Sequence, residues 1–170
     1  MQELIAELCP DGVEWRKLCS VTQILYGYPA DSKSFTEDCL YIPLIRIRDV
    51  VRGYSETFYK GDYPPEYVIH KGDILVGMDG EFNLNRWNDR NALLNQRVLR
   101  IQSNDEAVVL NSFLFHLLSP VFKKLELSIQ GSTVKHLSAK AINTILIPIP
   151  PLPIQAEIVR ILDAFTELTA

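Results

Sequence analysis

The sequence predicts an α+β fold: an irregular, twisted and mostly antiparallel sheet with packed helices, followed by a C-terminal helix with heptad spacing. Segments of strand-like composition between residues 40 and 102 predict the sheet. Segments of helical periodicity after residue 111 predict the helices. The 170 residues, 47% hydrophobic and 22% charged, are enough for one globular domain. We assign residues 1–149 to this domain and residues 150–170 to a proline-rich hinge and the start of the last helix.

A short helix is predicted first. Residues 2–8 are amphipathic, and Pro10 with the Asp11-Gly12 turn ends the helix after them. We expect Trp15 and Leu18 to pack this helix onto the domain.

Alternating and β-branched residues predict the strands. The candidates are residues 40–48, 54–59, 73–77 and 97–101. In the first candidate, Arg46 and Arg48 share one face of the strand. Residues 78–91 are rich in Asp, Gly and Asn, and predict one long polar loop anchored by Trp87. Loops of that length inside a domain are usually functional or mobile.

Serine caps predict two helices in the second half of the chain. Ser112 caps a helix that runs to residue 118, and the Ser119-Pro120 pair begins another that runs to residue 127.

A short helix capped by Ser138 and a buried strand over residues 145–147 follow. A stiff polyproline spacer is then predicted by Pro148, Pro150, Pro151 and Pro153.

The last segment has apolar residues spaced alternately four and three apart, which is the spacing of a heptad seam. The seam consists of Ile154, Ile158, Ile161, Phe165 and Leu168. About two heptads are too short for a stable coiled coil alone. Two interpretations therefore stay open: a helix docked on its own domain, or the start of a longer helix that pairs with another helix or a partner protein.

The charge is unevenly distributed. A net charge of −4 counts against nucleic-acid binding. However, residues 86–100 contain four arginines and one acid, and residues 119–140 contain four lysines and one acid. Phosphate binding depends on local cations, so these stretches fit either a DNA surface or two solvated faces.

The motifs of common enzymes and metal sites are missing. The three histidines lie far apart, no two cysteines are closely spaced, and no nucleophile elbow, P-loop or dinucleotide fingerprint occurs. We therefore expect no catalytic residue, no metal and no cofactor in this chain, and free thiols in a reducing cytoplasm. We also expect no signal peptide and no membrane span. A magnesium-dependent nuclease built on Asp73, Asp79 and Glu81 with Lys71 remains an alternative.

Four stretches, in this order along the chain, resemble the specificity subunits of type I restriction–modification systems. They are residues 9–18 (CPDGVEWRKL), 72–77 (GDILVG), 92–98 (ALLNQRV), and the block from 131–137 (GSTVKHL) through 147–155 (IPIPPLPIQ) to 158–162. The resemblance covers essentially the whole chain. The third stretch contains Asn95 and Gln96, which we expect to hold loop backbone.

The resemblance implies a non-catalytic target-recognition domain of a prokaryotic, cytoplasmic complex, which reads one half of a bipartite double-stranded DNA site. It implies methylation subunits that bring S-adenosylmethionine, a motor and nuclease subunit that uses ATP and Mg²⁺, and either a second recognition domain or a self-dimer. A protein-interaction adaptor that acts through the heptad helix is the alternative from another class.

Three segments carry the candidate DNA contacts. Hydroxyls and a cation suited to phosphate are offered by Ser132, Thr133 and Lys135. Amide and guanidinium groups suited to base edges are offered by Asn83, Asn85, Arg86, Asn88 and Arg90. A third loop, residues 26–34, offers Tyr28 and Lys33. Each segment also fits a plain structural turn or a solvated loop.

Overall fold

The computed structural model describes residues 2–128 and 136–169, which form eleven short strands and six helices. The strands are β1 (Glu14–Lys17), β2 (Thr22–Tyr26), β3 (Phe35–Thr36), β4 (Ile42–Ile45), β5 (Phe58–Tyr59), β6 (Val68–Ile69), β7 (Ile74–Gly77), β8 (Leu84–Arg86), β9 (Ala92–Leu94), β10 (Val98–Ser103) and β11 (Leu146–Ile149). The helices are α1 (Gln2–Leu8), α2 (Leu18–Val21), α3 (Ile47–Arg52), α4 (Asn111–Ser128), α5 (Ala139–Ile142) and α6 (Leu152–Thr169).

The strands form two sheets and a ribbon. One sheet is antiparallel throughout, in the order β2-β10-β7-β8. The other has the order β3-β5-β4-β9-β6, with one parallel pair between β4 and β9. Strands β1 and β11 pair as an antiparallel ribbon. This arrangement, with helices packed on the strands, confirms the predicted α+β class.

Strand β7 is buried on both faces, which joins two hydrophobic cores. Ile74 and Val76 face a large cluster that includes Phe113 and Phe122 of α4. Leu75, between them, faces a second cluster that includes Trp87. The alternation is that of a strand whose successive side chains point to opposite faces. The four-stranded sheet therefore lies in the middle of the molecule, and its ends are where loops are exposed.

Helix α4 is continuous, so the prediction of two helices divided at Ser119-Pro120 is wrong. Pro120 lies inside the helix. A proline removes one helical hydrogen bond and crowds the preceding turn. Here Leu118 and Phe122, on either side of it, are both fully buried. Burial of this apolar face on both sides of the proline outweighs the local cost.

One predicted strand and one predicted loop differ from the structure. Strand β4 ends at Ile45, because the buried Asp49 carboxylate accepts a hydrogen bond from the Arg46 backbone N–H at 2.9 Å and caps helix α3. The segment 78–91 is not one loop, since β8 lies within it and pairs with β7. Trp87 does anchor this segment: it is 1% exposed, and its Nε1–H donates to the Arg90 carbonyl at 2.7 Å.

The proline-rich segment does not form a separate polyproline spacer. Pro148 lies in β11, opposite Trp15 of β1, and Pro153 lies in the first turn of α6. Proline is tolerated at an edge strand and at a helix start, because neither position needs its missing N–H. Trp15 is 61% exposed, so only Leu18 takes the buried position expected of both residues.

Helix α6 begins docked on the domain and ends exposed. Ile154 is 2% exposed and Ile158 packs against the large core. Farther along, His116 Nε2 of α4 lies 2.7 Å from Asp163 Oδ1. Phe165 and Leu168 are 62% and 83% exposed. The seam is thus divided, with its first half serving the fold of this domain.

Candidate nucleic-acid interface

Four loops meet at one end of the four-stranded sheet. Val98, the first residue of β10, pairs with Gly77, the last residue of β7, and Leu99 pairs with Tyr26, the last residue of β2. The turn before β10, the hairpin turn after β7 and the segment after β2 therefore share this end. The β4–α3 junction joins them, because Ile45 pairs with Leu94 just before the same turn. We call this the loop end; it consists of residues 27–34, 46–48, 78–83 and 95–97.

The loop end contains a cleft of about 760 Å³ lined by three arginines. They are Arg46, Arg48 and Arg97. Amides and a hydroxyl also line it, from Asn95, Gln96 and Ser32, together with the carboxylate of Asp31. Arginine forks and amides in a concave surface are suited to phosphate oxygens and base edges.

The arginines differ in how they are held. Arg48 Nη2 donates to Thr57 Oγ1 at 3.2 Å, and its Nε lies 3.6 Å from Oδ1 of the fully buried Asp49. That carboxylate oxygen has no hydrogen-bond partner among the described residues. The ion pair with Arg48 therefore offsets the free-energy cost of burying its charge. The side chain of Arg46 is exposed, and no carboxylate contacts it in the described residues.

Backbone contacts hold two of the loops together. The Tyr28 N–H donates to the Leu94 carbonyl at 2.8 Å, and the Gln96 N–H donates to the Tyr28 carbonyl at 2.8 Å. A Cβ added at Gly27 would lie 2.0 Å from the Asn95 carbonyl oxygen, so only glycine permits this approach. As predicted, the side chain of Asn95 holds loop backbone, since its Oδ1 accepts from the Gln96 N–H at 2.9 Å. The side chain of Gln96, for which the same role was predicted, is exposed.

An aromatic cluster supports the loop that carries Tyr28. The ring of Tyr28 lies 5.3 Å from Tyr67 and 6.3 Å from Tyr59, centroid to centroid. Tyr59 also contacts Phe35 and Tyr63, each at 6.3 Å. Burial, followed by the proximity of Tyr59, raises the pKa of the Tyr28 phenol. Its hydroxyl donates to the Asp62 carbonyl at 3.5 Å.

A chain of polar contacts crosses the loop end. Arg97 Nη1 lies 3.5 Å from Asp79 Oδ2, and Asp79 Oδ1 lies 2.6 Å from His136 Nδ1. His136 directly follows Lys135 in the sequence. The predicted phosphate contacts Ser132, Thr133 and Lys135 themselves lie outside the described residues.

The predicted base-reading side chains are divided between the two ends of β8. Asn83 is in the hairpin turn at the loop end, where its Nδ2 donates to Glu81 at 3.2 Å. Asn88 and Arg90 are exposed beyond the opposite end of the strand pair. Arg90 there donates to the Cys39 carbonyl at 2.9 Å.

Two further members of the set have contacts within the fold. Arg86 lies with its Cζ 4.3 Å from the centroid of the Phe115 ring and donates to the Ser112 carbonyl at 3.5 Å. Asn85 Oδ1 accepts from the Arg86 N–H at 2.9 Å. From the third candidate loop, Lys33 is exposed next to the cleft residue Ser32. Tyr28, Lys33 and Asn83 thus share the loop end, whereas Asn88 and Arg90 do not.

Sequence reasoning missed the cleft arginines Arg46, Arg48 and Arg97 as candidates. The first two were assigned to a strand, and the signal that could have corrected this is Asp49, an N-cap partner three residues after Arg46. Arg97 was counted only as part of a basic stretch. Its turn conformation, with φ of 76°, has no distinct sequence signal because it is not a glycine.

The described residues contain no group of three or more His, Cys, Asp or Glu side chains arranged to hold a metal ion. Cys9, Cys19 and Cys39 are free thiols. In the part of the chain that the structure describes, no helix has the length and apolar character of a membrane span.

Comparison with known proteins gives consistent matches. Residues 10–170 match the family described as type I restriction modification DNA specificity domain. The chain is 38% identical over 144 residues to the EcoBI type I restriction enzyme specificity subunit of Escherichia coli, covering 85% of this chain and 30% of that protein. It is 30% identical over 166 residues to a putative type I restriction enzyme specificity subunit of Haemophilus influenzae, covering 93% of this chain and 38% of that protein.

Solved structures share the fold. The HsdS subunit from Thermoanaerobacter tengcongensis superposes with a TM-score of 0.71 at 19% identity, over 98% of this chain and 42% of that one. The type I restriction-modification S subunit from M. genitalium gives 0.69 at 17% identity, over 91% and 40%. The chain therefore spans about a third of the length of the curated relatives and about two fifths of these structures.

Proposed function

We propose that this chain, which belongs to the family of type I restriction modification DNA specificity domains, reads one half of a bipartite double-stranded DNA target through its loop end. The observation that carries this proposal is a cleft lined by three arginines, which lies where three of the four loops of the loop end meet. In this way the chain directs the methyltransferase and endonuclease of a type I complex to its site.

The local charge supports DNA binding in spite of the acidic chain. Arginines in the cleft displace counterions from DNA phosphates, and this term depends on the cations at the interface. The cleft also offers the exposed amide of Gln96, which can pair with base edges in the major groove. A surface that combines both kinds of donor can bind any duplex weakly and its own target more tightly.

Catalysis belongs to other subunits in this proposal. Methylation subunits bind S-adenosylmethionine, and a motor and nuclease subunit uses ATP and Mg²⁺. The nuclease alternative finds little support in the described residues, since Asp73 precedes β7 and Asp79 follows it. The four-residue strand between them alone spans roughly 13 Å, which is too far for their two carboxylates to share one ion.

One recognition unit suits one half of a bipartite site. The chain spans 30% and 38% of its curated relatives, which leaves room in those proteins for a second unit. We propose that a second recognition domain, in the same polypeptide or in a second copy, reads the other half. The assembly acts in the cytoplasm of a prokaryotic cell.

The proposal is tested by duplex binding of the purified chain at several salt concentrations. We expect a steep loss of affinity with salt, and Arg46→Ala should reduce the slope of log affinity against log salt by about one. Arg16→Ala is the matched control, because Arg16 is an arginine on β1 that pairs with Glu14 at 2.8 Å, away from the cleft. Its slope should equal that of the wild type.

Two results would count against the proposal. Salt-independent or absent duplex binding would favour the adaptor alternative. The second is found in the assembled methyltransferase: Arg90→Ala changes the methylation motif, whereas substitution of the loop-end arginines does not. That result would show that the DNA-reading surface lies at the opposite end of β8.

A further inference from the structure

We propose that Arg97 reads a guanine of the half-site and that Asp79 is the positioning residue which directs its guanidinium. This inference rests on the proposed function and assigns a specificity-determining role within the same surface. Neither residue stood out in the sequence as a DNA contact.

The backbone at Arg97 is unusual and firmly held. Among the described residues Arg97 is the only non-glycine with positive φ, at 76°. Its carbonyl accepts from the Met78 N–H at 2.8 Å, and the next residue, Val98, donates to the Asn95 carbonyl at 3.2 Å. Side chains rarely adopt this conformation, and the exceptions concentrate at functional sites. Glycine would satisfy the turn better, so what arginine adds here is its side chain.

The side chain is accessible and lies beside one carboxylate. It is 57% exposed, and its Nη1 lies 3.5 Å from Asp79 Oδ2. Asp79 is itself fixed, because its other oxygen lies 2.6 Å from His136 Nδ1 and the two residues form an isolated antiparallel bridge. The Nε and Nη2 edge of Arg97 has no partner among the described residues. That edge offers a two-donor fork, and the contact of Nη1 with Asp79 favours the orientation in which the fork is open to a ligand.

The pairing with Asp79 favours a base over a phosphate. A carboxylate beside the guanidinium cancels much of its attraction for the evenly spread phosphate charge, but leaves the direction of the remaining N–H groups unchanged. Guanine offers two acceptors, O6 and N7, with the spacing of such a fork. Arg46, whose exposed side chain forms no ion pair with a described carboxylate, is better suited to a phosphate.

The test uses the chain assembled with the methylation subunits, and measures the methylated motif across a library of random sites. Arg97→Gly fits the turn and removes the side chain, and Arg97→Lys keeps the charge without the fork. Both should reduce discrimination at one G·C position by about 5- to 150-fold, the range for one bidentate pair. Asp79→Asn should weaken discrimination at that same position, and Asp79→Glu should restore part of it.

A positioning role is separated from a structural one by a second measurement. Asp79→Asn should leave non-specific duplex affinity unchanged or raise it, since a negative charge is removed from the interface. The exposed pair Arg16–Glu14 provides matched controls, and Arg16→Ala and Glu14→Gln should leave the motif unchanged.

Three outcomes would overturn the inference while the proposed function stands. They are an unchanged motif for Arg97→Gly, a uniform loss of methylation at all sites, and an effect of Asp79→Asn at a different base position from that of Arg97→Gly. A wild-type complex that shows no sequence preference would instead contradict the proposed function, and this inference with it.

Discussion

At the scale of single residues, the loop end depends on close backbone contacts that leave little room for substitution. Gly27 is the clearest case, because the backbone of residues 95–96 lies where a side chain would be. No motif in the sequence indicates this contact. It arises from the parallel approach of Tyr28 and Asn95, which are 67 positions apart and are joined only in the fold.

We predict that Gly27→Ala destabilises the domain by about 1–3 kcal/mol, the usual cost of forcing extra atoms into a packed site. The added Cβ would lie 2.0 Å from backbone that is itself hydrogen-bonded. Gly77→Ala is the control, because the nearest atom there is an Ile47 methyl at 3.1 Å, which can move. Chemical denaturation of both variants measures the difference. Equal stabilities would mean that the two loops are not in such close contact.

Lys135 carries a prediction that comes from the sequence alone. It lies among the Ser and Thr residues expected to contact phosphate, and outside the described residues. Lys135→Ala should weaken binding to all duplexes by a similar factor and lower the salt slope by about one ion. Lys140→Ala, an exposed lysine on α5, provides the control. A change in which sequence is preferred would show that Lys135 contacts a base instead.

At the scale of elements, composition and periodicity predicted the α+β class, α1, and strands near β4, β5, β7 and β10. They failed where local and tertiary preferences conflict. Pro120 is a strong local signal for a helix start, yet buried neighbours on both sides keep α4 continuous. β8 was missed because Asn85 and Arg86 are typical of a loop, although pairing with β7 makes them a strand.

The junction between the domain and α6 shows what one residue of the family motif does. Gln155 is fully buried, and its Oε1 accepts from the Leu110 N–H at 2.9 Å. Its Nε2 donates to the carbonyls of Val108 and Pro150 at 2.9 and 2.8 Å. The side chain thus satisfies three backbone groups from two segments. The start of α6 is therefore fixed to the domain, whereas its proline content alone predicted a spacer.

We predict that Gln155→Ala costs about 3 kcal/mol of folding stability. Three hydrogen bonds are lost and three buried backbone groups are left without partners, at about 1 kcal/mol or more each. Arg160→Ala is the control on the same helix, because Arg160 is exposed and pairs with Glu157 at 2.7 Å on the surface, so little or no loss of stability is expected. Thermal and denaturant unfolding compare the two. A loss for Gln155→Ala no greater than that of the control would show that α6 is not anchored in this way.

At the scale of the whole molecule, the arginines of the cleft come from segments far apart in the sequence, and an acidic stretch lies elsewhere along the chain. Residues 1–14 contain four acids and no base, while the arginine cleft draws on loops around residues 46–48 and 97. The net charge of −4, taken alone, argues against DNA binding. The position of the cleft could not be predicted from the sequence, because it depends on the register that brings Gly77, Val98 and Tyr26 to one end of the sheet.

The divided seam of α6 gives the last prediction, which concerns assembly. Ile154 is 2% exposed and serves the fold of this domain, so Ile154→Ala should lower its stability by about 2–5 kcal/mol. Leu168, on the same seam, is 83% exposed and supports no core of this domain. Leu168→Asp should therefore leave the unfolding transition unchanged.

In a complex with the methylation subunits or with a second copy of the chain, Leu168→Asp should weaken the pairing. A carboxylate placed in an apolar helix interface is costly to desolvate, and two turns of exposed seam gain stability only by contact with another helix. Ultracentrifugation with and without the methylation subunits measures this directly. Wild-type subunits that remain strict monomers and capture no partner would contradict the prediction. Unchanged assembly of Leu168→Asp would instead show that partners bind elsewhere on the chain, with α6 acting only as part of its own domain.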